Sequence, residues 1–139
     1  MSENAHKYIS GAPWARRTVY WRFFLVLVYA GTIFILSSIP GKDLPSVRVS
    51  DKLLHAFEFG GFALLLYRAL RVLAPTQSRH FIALVSVVIT VCYGAVDEAH
   101  QLLVAQRMAD LADLAADGFG AGLAVWGWST AEHHWPWLQ

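Results

Sequence analysis

Cysteine and charge are both scarce in this sequence. A single cysteine, Cys92, excludes an intrachain disulfide framework and a thiolate metal centre, and its place in an apolar run reads as a small packing residue. Only 15% of the 139 residues are Asp, Glu, Lys or Arg, against 56% hydrophobic, a more apolar balance than soluble domains carry. The formal charge of +1 gives no basic surface for a nucleic-acid partner. Internal repeats and low-complexity tracts are absent, and the length suits one domain.

Apolar length is what the chain does have. Four stretches, about 19–39, 53–73, 81–97 and 111–129, approach the ~20 residues that cross a hydrocarbon core. A chain in lipid must satisfy its own backbone hydrogen bonds. The expected fold is therefore all-α, an integral membrane four-helix bundle with short loops over residues 19–130. A polar segment (1–18), loosely ordered to about Pro13, precedes it and a short tail (131–139) follows. The third stretch is short if it stops at Asp97, and the fourth carries acidic residues in its first turns. Arg16, Arg17 and Arg22 open the first stretch as they would a signal peptide, but no small-x-small cleavage pattern follows, so a retained anchor is expected.

Seven basic residues (Lys7, Arg16, Arg17, Arg22, Arg68, Arg71, Arg79) fall on one side of these spans and four (Lys42, Arg48, Lys52, Arg107) on the other. The positive-inside rule then places both termini in the cytoplasm. In the tail, His133-His134-Trp135-Pro136-Trp137 reads as interfacial tryptophan anchoring rather than a metal site.

Because successive spans alternate in direction, the end of span one, the start of two, the end of three and the start of four share one membrane face. Nearly all the polar residues that are expensive in lipid lie there. Asp51, His55 and Glu58 are spaced i, i+4, i+7, within about 60° on one helical face. Asp97, Glu98 and Gln101 close span three, and Arg107 follows. Asp110, Asp113 and Asp117 align on span four. Asp51 and Asp110 also suit helix N-caps, Lys52 and Arg107 suit headgroup contacts, and Gly60-Gly61 and Gly118-x-Gly120-x-Gly122 suit close helix packing. Capping does not account for Glu58, Glu98, Asp113 and Asp117, which lie up to two turns inside apolar segments. A charge at the bilayer centre costs at least ~2.5–3.5 kcal/mol, less toward the interface, so these residues require partners or a ligand.

The same residues carry a resemblance to the VanZ-like membrane proteins, over about residues 34–124. The motifs are Leu36-Ser37-Ser38, then Asp51-Lys52-x-x-His55, then Asp97-Glu98-x-x-Gln101, and finally Arg107 with Asp113, Asp117 and Gly120 at family spacing. The chain departs from the family where Asp117 replaces a usual asparagine, Phe59 a frequent aromatic hydroxyl, Ala105-Gln106 a Pro-Gly pair, and Ala124 a frequent glycine. The resemblance implies resistance to glycopeptide antibiotics of the teicoplanin kind, or action on lipid headgroups or lipid-linked cell-envelope intermediates. Together with the cytoplasmic termini expected from the charge distribution, the expectation is a multi-pass protein of the bacterial inner membrane with its pocket facing outward.

Two functional readings follow. In the enzymatic one, His55 is general base or nucleophile oriented by Asp51 or Glu58, and Arg107 with Lys52 holds a phosphate. Glu98 and Asp113 supply a second acid/base or ligate a divalent cation such as Mg2+. Gln101, Asp97 and Asp117 complete the substrate-binding set, with Asp117 also a candidate metal ligand. In the binding reading, the pocket recognises an anionic lipid or antibiotic without turnover. A structural subunit of an envelope complex, or a homo-oligomer, is the remaining expectation. Transport is disfavoured, because four short spans lack the repeated halves and broken helices of a carrier.

Overall fold

The computed structural model describes residues 13–43 and 50–134, without the side chains of residues 13–15 and 133. Lys7, Arg48, the polar start ahead of Pro13 and the tail tryptophans Trp135 and Trp137 lie outside the described residues. Four long helices make up the described residues: α1 (Pro13–Ser37), α2 (Asp51–Leu73), α3 (Arg79–Gln101) and α4 (Leu111–His134), with a 3-10 turn at Gly41–Asp43. Among the described residues there is no strand. Three helices are long and apolar enough to cross a membrane. The fourth, with 24 residues, is as long, but Asp113 and Asp117 occupy its first two turns.

Two helix ends differ from the hydropathy reading. α3 runs on past Asp97 to Gln101, because its buried polar end (Asp97, Glu98, Gln101) finds partners within the fold. α4 runs past Ser129 to His134, because Glu132, 4% exposed, is taken up by Tyr67 Oη at 3.0 Å and Trp128 Nε1 at 2.9 Å. Ser50, not Asp51, stands at the N-cap of α2, without a side-chain capping bond. Asp110 does cap α4, its Oδ1 accepting from Ala112 N at 2.8 Å. Cys92 is exposed on α3 rather than packed.

α2 is the central helix. It packs on the other three, most extensively on α4, and α1 touches mainly α2. Phe59, Phe62 and Leu66 of α2 meet Val26 and Ile33 of α1 in one apolar cluster. On its other side Ala63 and Tyr67 meet Ile82, Ala121 and Val125. Tyr20, Trp21, Phe24, Leu27, Phe34 and Ile35 of α1 are exposed, an apolar surface suited to lipid and far larger than a soluble monomer shows.

The α2–α4 contact is built from small residues one helical turn apart, Ala56 and Gly60 against Gly120 and Ala124. A Cβ on Gly60 would lie 3.1 Å from Gly120 O, and one on Gly120 would land on the Ala56 carbonyl. This is the close approach that small residues permit in membranes. The other glycines singled out in the sequence differ: Gly122 faces open space, and a Cβ on Gly61 would meet the Tyr29 hydroxyl. The pairs Lys52–Asp113, His55–Asp117 and Tyr67–Glu132 run in the same order along both helices, so α2 and α4 are parallel. The two loops of the polar face are joined directly, Gly41 N donating to Ala105 O at 3.1 Å.

Candidate functional site

The parallel register of α2 and α4 lays the polar face of one on that of the other. Lys52 Nζ donates to Asp110 Oδ2 and to Asp113 Oδ1, both at 2.6 Å. Asp110 lies in the connection ahead of α4, and its carboxyl is held below the usual carboxylate range by the Lys52 hydrogen bond and then by the Ala112 amide. One turn deeper, His55 Nδ1 lies 2.9 Å from Asp117 Oδ1. The His55 side chain is 9% exposed and that of Asp117 is fully buried. A carboxylate can only accept, so a ring proton sits on Nδ1, and Nε2 is the ring nitrogen turned away from Asp117. Phe59 lies parallel to the imidazole at 6.0 Å and closes that side of the ring.

α3 and the loop after it supply the second half. Gln101 Nε2 donates to Asp97 Oδ2 at 2.9 Å, and Gln101 Oε1 accepts from Arg107 Nε at 3.2 Å. The amide thus relays a buried carboxylate to the guanidinium and leaves both Nη groups of Arg107 without a partner among the described residues. Glu98 Oε2 accepts from Asp110 N at 2.7 Å, fixing the start of α4 against the end of α3. Glu58, half-buried on α2, lies between the halves, within the fields of His55, Asp97, Asp117 and Arg107. The protonated His55 ring would act on Glu98 and Asp110 as well.

All ten residues expected from the sequence therefore lie at one face. Lys52 with Asp113 and His55 with Asp117 form two direct pairs, and Arg107, Gln101 and Asp97 form a connected group. The orientation of His55 differs from the expectation: its partner is Asp117 on the facing helix, not Asp51 or Glu58 on its own. Lys52 is occupied by two carboxylates, so Arg107 is the cation with donors to spare. Asp97 Oδ1, Glu98 Oε1 and Asp117 Oδ2 are buried without a hydrogen-bond partner. Such acceptors are costly to leave unmatched, and they suit the hydroxyl or ammonium donors of a ligand.

For a metal ion, Asp51, His55 and Asp113 offer ligand atoms that all lie within 4.8 Å of one another. Glu98 and Asp117 stand outside that group, engaged by the Asp110 amide and by His55. A histidine with two carboxylates matches a first-row transition ion better than the all-oxygen shell that Mg2+ prefers. The Lys52 ammonium on Asp113 supplies part of the charge such an ion would bring.

Sequence reasoning passed over His100. Its Nε2 lies 3.0 Å from Ser38 Oγ, and its ring stacks on Phe34 at 4.4 Å. Ser38 Oγ donates to Phe34 O at 2.6 Å, so it receives the His100 N–H. This contact ties the Leu36-Ser37-Ser38 motif to the end of α3.

Where the VanZ-like proteins that the chain resembles carry Pro-Gly, it has Ala105-Gln106, and among the described residues Gln106 is the non-glycine residue with a positive φ, 59°. The left-handed conformation costs a side-chain-bearing residue roughly 1–2 kcal/mol. The loop shape survives because the Gln106 carbonyl occupies the space that a Cβ on Gly41 would take. Gln106→Gly should accordingly raise stability by roughly 0.5–1 kcal/mol. Thermal melts of the purified protein check this, and a lower melting temperature would count against the strain argument.

A family model described as VanZ/LLP1 matches residues 14–132. No curated protein and no solved structure matches the chain.

Proposed function

This chain belongs to the VanZ/LLP1 family of membrane proteins, and from that premise we propose that it performs acid–base chemistry on a phospholipid headgroup or a lipid-linked cell-envelope intermediate. The observation that carries the reading is the His55–Asp117 pair, 2.9 Å apart with the carboxylate fully buried. A histidine fixed at Nδ1 by an acceptor presents Nε2 as a base of defined direction, the arrangement general-base catalysis needs. His55 takes the proton of a water or hydroxyl nucleophile. Arg107, turned by Gln101, holds the phosphate oxygens through its Nη groups. Glu98, with one oxygen unmatched, supplies the second acid/base. Asp97 and Glu58 receive hydroxyl or ammonium donors of the headgroup. The working location is the bacterial inner membrane, with this face outward.

The test is lipid extraction and mass spectrometry from cells overproducing wild type or His55→Gln at matched membrane levels. A headgroup or lipid-carrier species that changes with wild type alone is the expected result. The second reading, capture of an anionic lipid or a glycopeptide antibiotic without turnover, draws on the unpartnered Nη groups of Arg107. Identical lipidomes from two folded proteins would sink the enzymatic reading in its favour. Arg107→Gln, measured for ligand retention, then becomes the deciding variant.

A further inference from the structure

At the end of the bundle away from His55, α3 and α4 line a groove of about 550 Å³. Its walls are apolar, formed by Ala83, Val87, Gly122 and Val125, and its mouth holds Arg79, His80, Ser129 and Thr130. From Arg79 to Val87 the groove reaches about 12 Å into the bilayer, at the ~1.5 Å rise per helical residue. Its width comes from small side chains, and a Cβ on Gly122 would touch nothing within 4 Å.

The mouth is positively charged. Ser129 Oγ and Thr130 Oγ1 both donate to Trp126 O, at 3.0 and 2.8 Å, so the charge at the mouth is that of the Arg79 guanidinium, with the His80 ring next to it. Arg22, Arg68 and Arg71 lie at the same face, where Arg22 Nη1 donates to Arg68 O at 2.7 Å and Arg68 stacks over Trp128 at 4.9 Å. The described carboxylate there, Glu132, is buried, accepts from Tyr67 and Trp128 and lies 3.9 Å from Arg71 Nε.

We infer that this groove is a binding site for an anionic phospholipid of the leaflet opposite the His55 pocket, with one acyl chain between α3 and α4 and the phosphate at Arg79 and His80. Basic pockets between membrane helices recognise anionic headgroups through this pairing of charge with apolar depth. The site is separate from the His55 chemistry and stands whether or not that chemistry occurs.

Native mass spectrometry of the full chain in mild detergent, titrated with dioleoyl phosphatidylglycerol or dioleoyl phosphatidylcholine, measures retention of each lipid. Preferential retention of phosphatidylglycerol is expected. Gly122→Phe, which fills the groove, and the double variant Arg79→Gln/His80→Gln should each reduce that retention about fivefold or more, the worth of one basic residue at a membrane surface, and leave phosphatidylcholine unchanged. Phosphatidylglycerol with a photoactivatable acyl chain, in mixed vesicles of the two lipids, should label α3 and α4 between residues 83 and 126 in preference to α1.

Equal retention of the two lipids would overturn the proposal, as would labelling spread evenly over α1, or dimers without lipid that Gly122→Phe dissolves. Unchanged phosphatidylglycerol retention in a helical Gly122→Phe would do the same. Should that variant fail to fold, unchanged retention in the double variant decides against the site equally well.

Discussion

Gly120→Val should leave almost no folded protein, whereas Gly127→Val on the same helix should melt with wild type. Overpacking a well-filled contact costs roughly 1–3 kcal/mol and occasionally more, and two features put Gly120 at the upper end. The atom in the way is the Ala56 carbonyl, a backbone group that cannot rotate aside as a side chain does. The contact also lies within the most extensive helix interface, so relieving it moves α2 and α4 apart. Lys52–Asp113 and His55–Asp117 would separate with them, leaving buried carboxylates without partners. Gly127 has nothing within 4 Å of its missing Cβ and serves as the matched control. Fluorescence-detected size exclusion of the detergent-solubilised protein, followed by thermal melts, reads both variants. A monodisperse Gly120→Val that melts with wild type would show that the small-residue contact is not what holds the pair.

Under the enzymatic reading, Asp117→Leu should reduce turnover by roughly 10²–10⁴-fold, the range for losing a positioned general base, and Asp117→Asn should fall between it and wild type. Leucine removes the acceptor from Nδ1, frees the ring to turn and lets its proton move to Nε2, where it blocks the base. Asparagine, the usual family residue at this position, keeps an acceptor oxygen at nearly the same place. It removes the charge but retains the orientation. The variants separate positioning from packing, because the asparagine protein should melt close to wild type while the leucine protein loses stability with the orphaned imidazole. Headgroup turnover in reconstituted vesicles, normalised to folded protein, gives the order. A leucine variant as active as the asparagine one would remove Asp117 from the mechanism.

Much of the architecture was legible because it rests on one-dimensional signals. Apolar runs of bilayer length marked the helices, and alternation of direction alone placed Asp51, His55, Asp97, Arg107 and Asp113 at one face. The i, i+4 rule finds neighbours on a single helix, however. It offered Asp51 and Glu58 as partners for His55 and could not reach Asp117, whose position depends on how far α4 slides along α2. The slide is set by the fit of Gly120 against Ala56, which no spacing rule contains. The ends of α3 and α4 were misplaced for a related reason. Hydropathy counts Glu98 and Glu132 as polar and stops, whereas the Asp110 amide, Tyr67 and Trp128 satisfy them inside the fold. His100 was missed because its partner, Ser38, is a neutral hydroxyl 62 residues away. The loop at Gln106 could not be read at all, since its sequence lacks the glycine that its backbone conformation favours.

The polarity of α4 bears on how the protein is made. Asp113 and Asp117 sit in its first two turns, and their counterparts, Lys52 and His55, belong to a helix synthesised earlier. A segment with two carboxylates in its leading turns gains little by partitioning into lipid alone. Against α2 those groups are already matched when it arrives. Biogenesis therefore has a direction: α2 must still be held beside the insertion machinery when α4 emerges, with α3 the spacer that delivers it on the correct side.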